Sequence, residues 1–193
     1  MKQAEFDIIA ALINAEEAKD AYTSGHSDRV TKISVAIVNE MKLGDDFKKT
    51  ITRAGLLHDI GKIGISDAIL LKKEKLTEEE SEVIKSHSKR GAEILKPLTF
   101  LSPESKIILH HHEHYDGKGY PDGLKDDEIP LGSLILAVAD AFDAMSSERP
   151  YRKALEKDAI ITELKKSRST LHKPEITDVF LGLIEKKPEL WNK

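Results

Sequence analysis

At 193 residues, 39% hydrophobic and 33% charged, the chain is long enough for one domain with a substantial core and too apolar for a disordered segment. Its net charge of -4 offers no basic field for a nucleic-acid polymer or an acidic membrane surface. It has no cysteine, so disulfides and thiolate metal sites are excluded and any metal must sit on His, Asp, Glu or water.

In chain order, almost every segment has helical spacing of its apolar residues. Phe6, Ile9 and Ile13, with Ile8 and Leu12 beside them, predict a helix over 4–20. Val30, Ile33, Ile37, Val38 and Met41 predict one over 27–42. A third, 46–58, ends on Ala54, Leu56 and Leu57, where Gly61 and Gly64 interrupt the pattern. Thr77 with Glu80 forms a capping box for a helix running to about Leu95. Ser102, Pro103 and Glu104 start another that runs to about His112. Residues 115–130, rich in glycine and proline, read as a long loop, a kind that is often functional in compact domains. Helices over about 131–146, 156–167 and 174–186 complete the chain. Strand signals are weak, and the fold class is all-α. The apolar run Leu134–Ala139 is far too short to span a bilayer, and the N-terminus lacks a signal-peptide layout, so a cytoplasmic location is expected.

The chemistry-bearing residues cluster. "HDIGK", His58 to Lys62, follows an apolar run; taken by itself it reads as polar groups capping a helix end. His110, His111, His112 and His114 lie in "LHHHEHYDG". His26 starts one helix and His87 sits inside another. Asp140 interrupts the apolar face of the 131–146 helix, where a carboxylate is costly unless paired or bound to metal. Asp143, three residues on, shares that face. Imidazoles and carboxylates without thiolate suit Mn, Fe, Ni, Co or Zn. Adjacent histidines on a helix diverge by about 100°, so His111 and His112 can converge on a metal while His110 is expected to point elsewhere.

Taken together, these segments resemble a known family. "HDIGK" is similar to the signature of HD-domain phosphohydrolases. "HHEHYDGKGYP" (111–121) resembles the second signature of the HD-GYP subfamily. The likeness continues through "DAYTSGHSDRV" (20–30), "HSKRGAEIL" (87–95) and "IPLGSLILAVADAFDAMSSERPYRKA" (129–154). It implies an HD-domain-like helical bundle with a GYP-containing loop. Residues 1–22 would form an N-terminal helix, a linker remnant or packing helix, and 23–193 the phosphohydrolase domain. The resemblance implies one metal on His26, His58, Asp59 and Asp140, and a second on His87, His111 and His112, with Asp59 bridging. His110, His114 and His172 fall outside the pattern. Tyr22 stands where one branch has a glutamate for a third metal, so two metals are expected, Fe or Mn ahead of Ni, Co and Zn.

The implied activity is hydrolysis of cyclic di-GMP, or a related cyclic dinucleotide, by a hydroxide bridging the metals. The product would be linear pGpG, with GMP after a second cut. Asp59 and Lys62 would be catalytic. Lys62, Tyr120, Asp143, Arg149 and Arg152 would bind substrate. Lys62, Asp143 and metal-bound water are candidates for the acid that protonates the leaving oxygen. Alternatives are hydrolysis of cyclic GMP-AMP or another nucleotide, and a non-catalytic receptor or interaction module. A homodimer and an upstream sensor or receiver domain are left open as partners; a nucleic-acid polymer and a membrane are not expected.

Overall fold

The computed structural model describes residues 3–19, 25–148 and 153–191. Ten α-helices and no β-strand occur among them, in keeping with the all-α expectation, and one isolated bridge joins Arg168 to His172. The centre of the bundle is α2 (His26–Glu40), which packs against α3 (Asp45–Leu57) and α8 (Leu131–Ser146). Val30, Ile33 and Ile37 on α2 meet Ile51, Ala54 and Leu57 on α3 and Leu134, Ile135 and Val138 on α8 in one continuous buried cluster. The C-terminal helix α10 (Pro174–Lys186) joins this core, with the Phe142 and Phe180 rings edge to face at 4.9 Å. α9 (Lys157–Ser167) buries Ile160 and Leu164 beside α8.

The N-terminal helix α1 (Gln3–Lys19) packs against α3 and against the 3-10 turn Ile60–Gly64, and contributes Ile9 to the core. A Cβ built on Gly61 in that turn would lie 1.8 Å from the His87 carbonyl oxygen and 2.6 Å from Gly91 N. Only a residue without a side chain lets the turn press on the backbone of α6 (His87–Leu95). That contact sets Asp59 beside His87.

Two helices differ from the sequence expectation. The helix expected from Thr77 to Leu95 is two, α5 (Glu78–Lys85) and α6, after the short α4 (Asp67–Leu70). The break falls at Ser86, whose amide is shared between the carbonyls of Glu82 and Val83 and whose hydroxyl donates to Val83 O. The Ile84 carbonyl is taken by the His87 ring, in competition with the amide that would continue the helix. The capping box at Thr77 and Glu80 is formed as expected. Likewise α7 (Ser102–Leu109) stops before the histidine run, so His110, His111 and His112 lie in a turn and not on a helix. The 115–130 loop holds one 3-10 turn, Asp126–Glu128.

Candidate metal centre

Three helices end at the same place, and each is followed within two residues by a buried histidine. The last turn of a helix leaves carbonyls without intrahelical partners. The His58 Nδ1 lies 2.8 Å from Gly55 O, the His87 Nδ1 2.7 Å from Ile84 O, and the His111 Nδ1 2.6 Å from Ile108 O. Carbonyl oxygens only accept, so Nδ1 carries the proton in all three rings and Nε2 presents a bare lone pair. The three rings therefore cap helix ends with one nitrogen and aim the other inward.

His111 aims at His87, and His58 and His87 aim at Asp59, 4% exposed. Its Oδ1 lies 3.5 Å from His87 Nε2, and its Oδ2 lies 3.6 Å from His58 Nε2 and 3.8 Å from His26 Nε2. One carboxylate thus stands between two donor groups. His26, His58 and Asp140 form the first, and His87, His111 and His112 the second. His26 Nε2 is 3.4 Å from Asp140 Oδ1.

The residues fit a pair of cations on their own chemistry. His58 Nε2 is buried with no hydrogen-bond partner, a costly state for a polar atom. His87 Nε2 and His111 Nε2 face each other at 3.3 Å as two lone pairs, an arrangement that a cation between them would make favourable. The field agrees. Burial would raise the Asp59 carboxyl, but Lys62 and the surrounding histidines hold it well below the usual carboxylate range. Burial pushes His58 and His111 down and His112 down to about 4, which keeps these imidazoles in the neutral, ligating form. His26 is the exception: against its burial, Asp140 and Asp143 raise it to about 9.

Comparison with known proteins bears on this constellation. A family model described as HD domain matches residues 11–175. The chain belongs to the HD-domain family. It is 41% identical over 192 residues to a cyclic di-GMP phosphodiesterase of Thermotoga maritima, covering 97% of this chain and 52% of that protein. It is 39% identical over 183 residues to the cyclic di-GMP phosphodiesterase response regulator RpfG of Xanthomonas campestris, covering 94% and 48%. It is also 39% identical over 168 residues to a 3'3'-cGAMP-specific phosphodiesterase of Vibrio cholerae, covering 87% and 36%. The HD-domain chain therefore spans about half the length, or less, of these curated relatives. In fold it resembles the cyclic GMP-AMP phosphodiesterase V-cGAP3 of V. cholerae, with TM-score 0.74 at 20% identity over 96% of this chain and 50% of that one. The HD domain of Listeria monocytogenes PgpH, solved with cyclic di-AMP, gives TM-score 0.65 at 21% identity over 95% and 98%.

The HD domain brings together every residue expected in the ligand set, and Lys62 joins them with its Nζ 2.5 Å from Asp59 Oδ2. Tyr120 stacks on the His112 ring, centroids 4.9 Å apart and planes at 28°. His110 turns away, as expected, and its Nε2 meets Asp122 at 3.0 Å. Asp143 requires a correction. It shares a helix face with Asp140 but is 2% exposed, and its oxygens meet His26 Nδ1 at 2.7 Å and Arg29 Nε at 2.6 Å. It stands behind His26 as that ring's anchor and is not placed to bind substrate or to protonate a leaving group. Tyr22, Arg149 and Arg152 lie outside the described residues.

Glu16 was not singled out from the sequence, and His172 was set outside the family pattern; the structure buries both. Glu16 on α1 is 3% exposed. Its carboxyl is pushed up to about 8 by burial and by Asp59, against Lys62 and His26, and its helix packs on the 60–64 turn that follows Asp59. The signal was present: Glu16 continues the stripe Ile9, Leu12, Ile13 at helical spacing, as Asp140 interrupts the apolar face of α8. His172 is buried with its Nδ1 unpartnered. Burial, and then His114, push it down to about 4, with Asp140 opposing.

Proposed function

We propose that this HD domain is a metal-dependent phosphodiesterase of cyclic dinucleotides, with cyclic di-GMP as first substrate. The observation that carries the reading is the convergence of inward-facing Nε2 atoms from His26, His58 and His87 on the two oxygens of Asp59, with His111 Nε2 against His87 Nε2. His26, His58 and Asp140 with one oxygen of Asp59 would hold one divalent cation, and His87, His111 and His112 with the other oxygen a second. The donor set suits Mn, Fe, Ni, Co or Zn, and the family resemblance puts Fe or Mn first. Such a pair supplies Lewis acidity and a water acidic enough to attack at neutral pH.

The chain's own groups then have definite work. The carbonyl-bound Nδ1 atoms fix the rings, so the ligands need no reorganisation when metal arrives. The Lys62 ammonium, anchored on Asp59, lies at the carboxylate shared by both groups and offsets charge on the phosphoryl oxygens. Water adds to phosphorus, the P–O3′ bond breaks and the leaving oxygen takes up a proton, giving a linear dinucleotide with a 5′-phosphate. A second cut would give two mononucleotides. Tyr120, over His112, makes one edge of the substrate's seat. Arg149 and Arg152 remain part of the proposal as phosphate ligands. A specific observation favours a second substrate, 3'3'-cyclic GMP-AMP: the V. cholerae relative named for it is as similar to this chain as RpfG is. Among the described residues no helix is long and apolar enough to cross a membrane, and a cytoplasmic setting belongs to the same proposal.

The test is Asp59→Ala. It is expected to remove bound metal and cyclic di-GMP hydrolysis while leaving helix content by circular dichroism near wild type. Wild-type turnover by the purified variant would sink the assignment.

A further inference from the structure

Glu113 lies inside the second signature, between the metal-facing histidines and the glycine-rich loop, and takes no part in the centre. It is 1% exposed. Together with His110 and Asp122 it forms a third His/carboxylate cluster, yet its oxygens are already committed to backbone. Oε1 accepts from Asp122 N at 2.8 Å and Gly123 N at 3.2 Å, and Oε2 accepts from Leu124 N at 3.1 Å. Three amides from the far side of the loop are thus drawn onto one carboxylate beside His112.

The near side of the loop is fixed by contact. A Cβ on Gly119 would lie 2.1 Å from His114 N, 2.4 Å from Glu113 Cα and 2.5 Å from His112 O, so the loop backbone lies directly on residues 112–114. Tyr120 N donates to His112 O at 3.1 Å. Tyr120 is therefore held between the Gly119 contact and the Glu113 anchor, with its ring on His112. The outer loop has separate supports: Tyr115 N and Asp116 N donate to the Leu171 and Thr170 carbonyls, and Asp126 N donates to Tyr115 O.

We propose that Glu113 is a positioning residue that sets Tyr120 over the His112 side of the centre and so makes the site selective for a large, two-base substrate. The proposal rests on the cyclic dinucleotide reading above. A small diester such as bis(p-nitrophenyl) phosphate needs the metal-binding groups and Lys62 but not a seat built from Tyr120. A cyclic dinucleotide spans both. Loss of Glu113 as an acceptor should therefore separate the two substrates.

The experiment uses Glu113→Gln, which keeps the shape but replaces one accepting oxygen by an NH2 that opposes a backbone N–H. Metal content, hydrolysis of both substrates and amide exchange at 122–124 are measured on the Mn-loaded chain. Expected are unchanged metal content, small-diester hydrolysis within about twofold, faster exchange at 122–124, and a KM for cyclic di-GMP raised about tenfold or more, the order for losing charge-assisted hydrogen bonds. Should that variant not fold, Glu113→Asp keeps the charge, shortens the reach and is expected to show the same split at smaller size. An unchanged KM for cyclic di-GMP with faster exchange at 122–124 would overturn the proposal. So would parallel loss of metal and of both activities. Absence of cyclic dinucleotide turnover by the wild type would strike the underlying reading, and the proposal with it; that outcome is seen before any variant is compared.

Discussion

His26 is held differently from the other imidazoles. Where His58, His87 and His111 lean on helix-end carbonyls, His26 opens a helix and its Nδ1 meets the Asp143 carboxylate, itself clamped by Arg29. A carboxylate behind a ligating histidine fixes the ring and strengthens it as a donor, and removing such a partner costs about 10–100-fold in metal affinity. Asp143→Asn is expected to weaken metal binding by that order at wild-type helix content, measured by titrating metal into the stripped chain. Equal affinity would return Asp143 to the substrate side. His172 gives a pH signature. Its pKa of about 4 lies below the usual 6.5, so between these values the unfolded chain binds a proton that the folded chain does not. Its contribution is complete above pH 6.5 and is lost as pH falls towards 4, by roughly 3 kcal/mol at most. Urea melts of wild type and His172→Leu, both metal-free, should show the wild type losing more stability over that window. Parallel pH profiles would contradict this.

Among the elements, the 60–64 turn packs its backbone directly on α6 and so brings the segments of Asp59 and His87 together. Gly61→Ala places a methyl against backbone on α6, where no side chain can yield. The overpacking cost is about 1–3 kcal/mol, and His87 is expected to move away from Asp59, so metal capacity should fall along with the melting temperature. A variant with full capacity and unchanged melting would show that the turn can shift freely. The same elements show what was legible in the sequence. Apolar periodicity located α1, α2, α3, α8 and α10 because each buries one stripe against a common core. The residues expected as ligands could be named because the family signatures that carry them are local in sequence, and the fold brings those residues together. The break at Ser86 and the early end of α7 were not legible, because the His87 and His111 rings compete for helix-end carbonyls and periodicity does not register that. Asp143 was placed on the correct face but given the wrong neighbour: its partner His26 is 117 residues away. "HDIGK" read as a helix cap and as a metal site, and the two readings concern different nitrogens of His58.

At the scale of the molecule, the buried centre is a cluster of imidazole lone pairs and carboxylates that the helices hold at close range. Bound metal should therefore stabilise the whole bundle. At a free concentration 100 times the dissociation constant the gain is about 2.7 kcal/mol, or roughly 5–10 °C in melting temperature for a domain of this size. Thermal melts before and after chelation should show that fall, and identical melts would mean that the groups are satisfied without metal. The most direct test of the account loads the wild-type chain anaerobically with Mn or Fe, counts metal per chain, and assays the same sample on cyclic di-GMP, 3'3'-cyclic GMP-AMP and cyclic di-AMP. The account predicts two metals per chain and a linear dinucleotide 5′-phosphate from cyclic di-GMP. Two metals per chain with no turnover of any cyclic dinucleotide would contradict it.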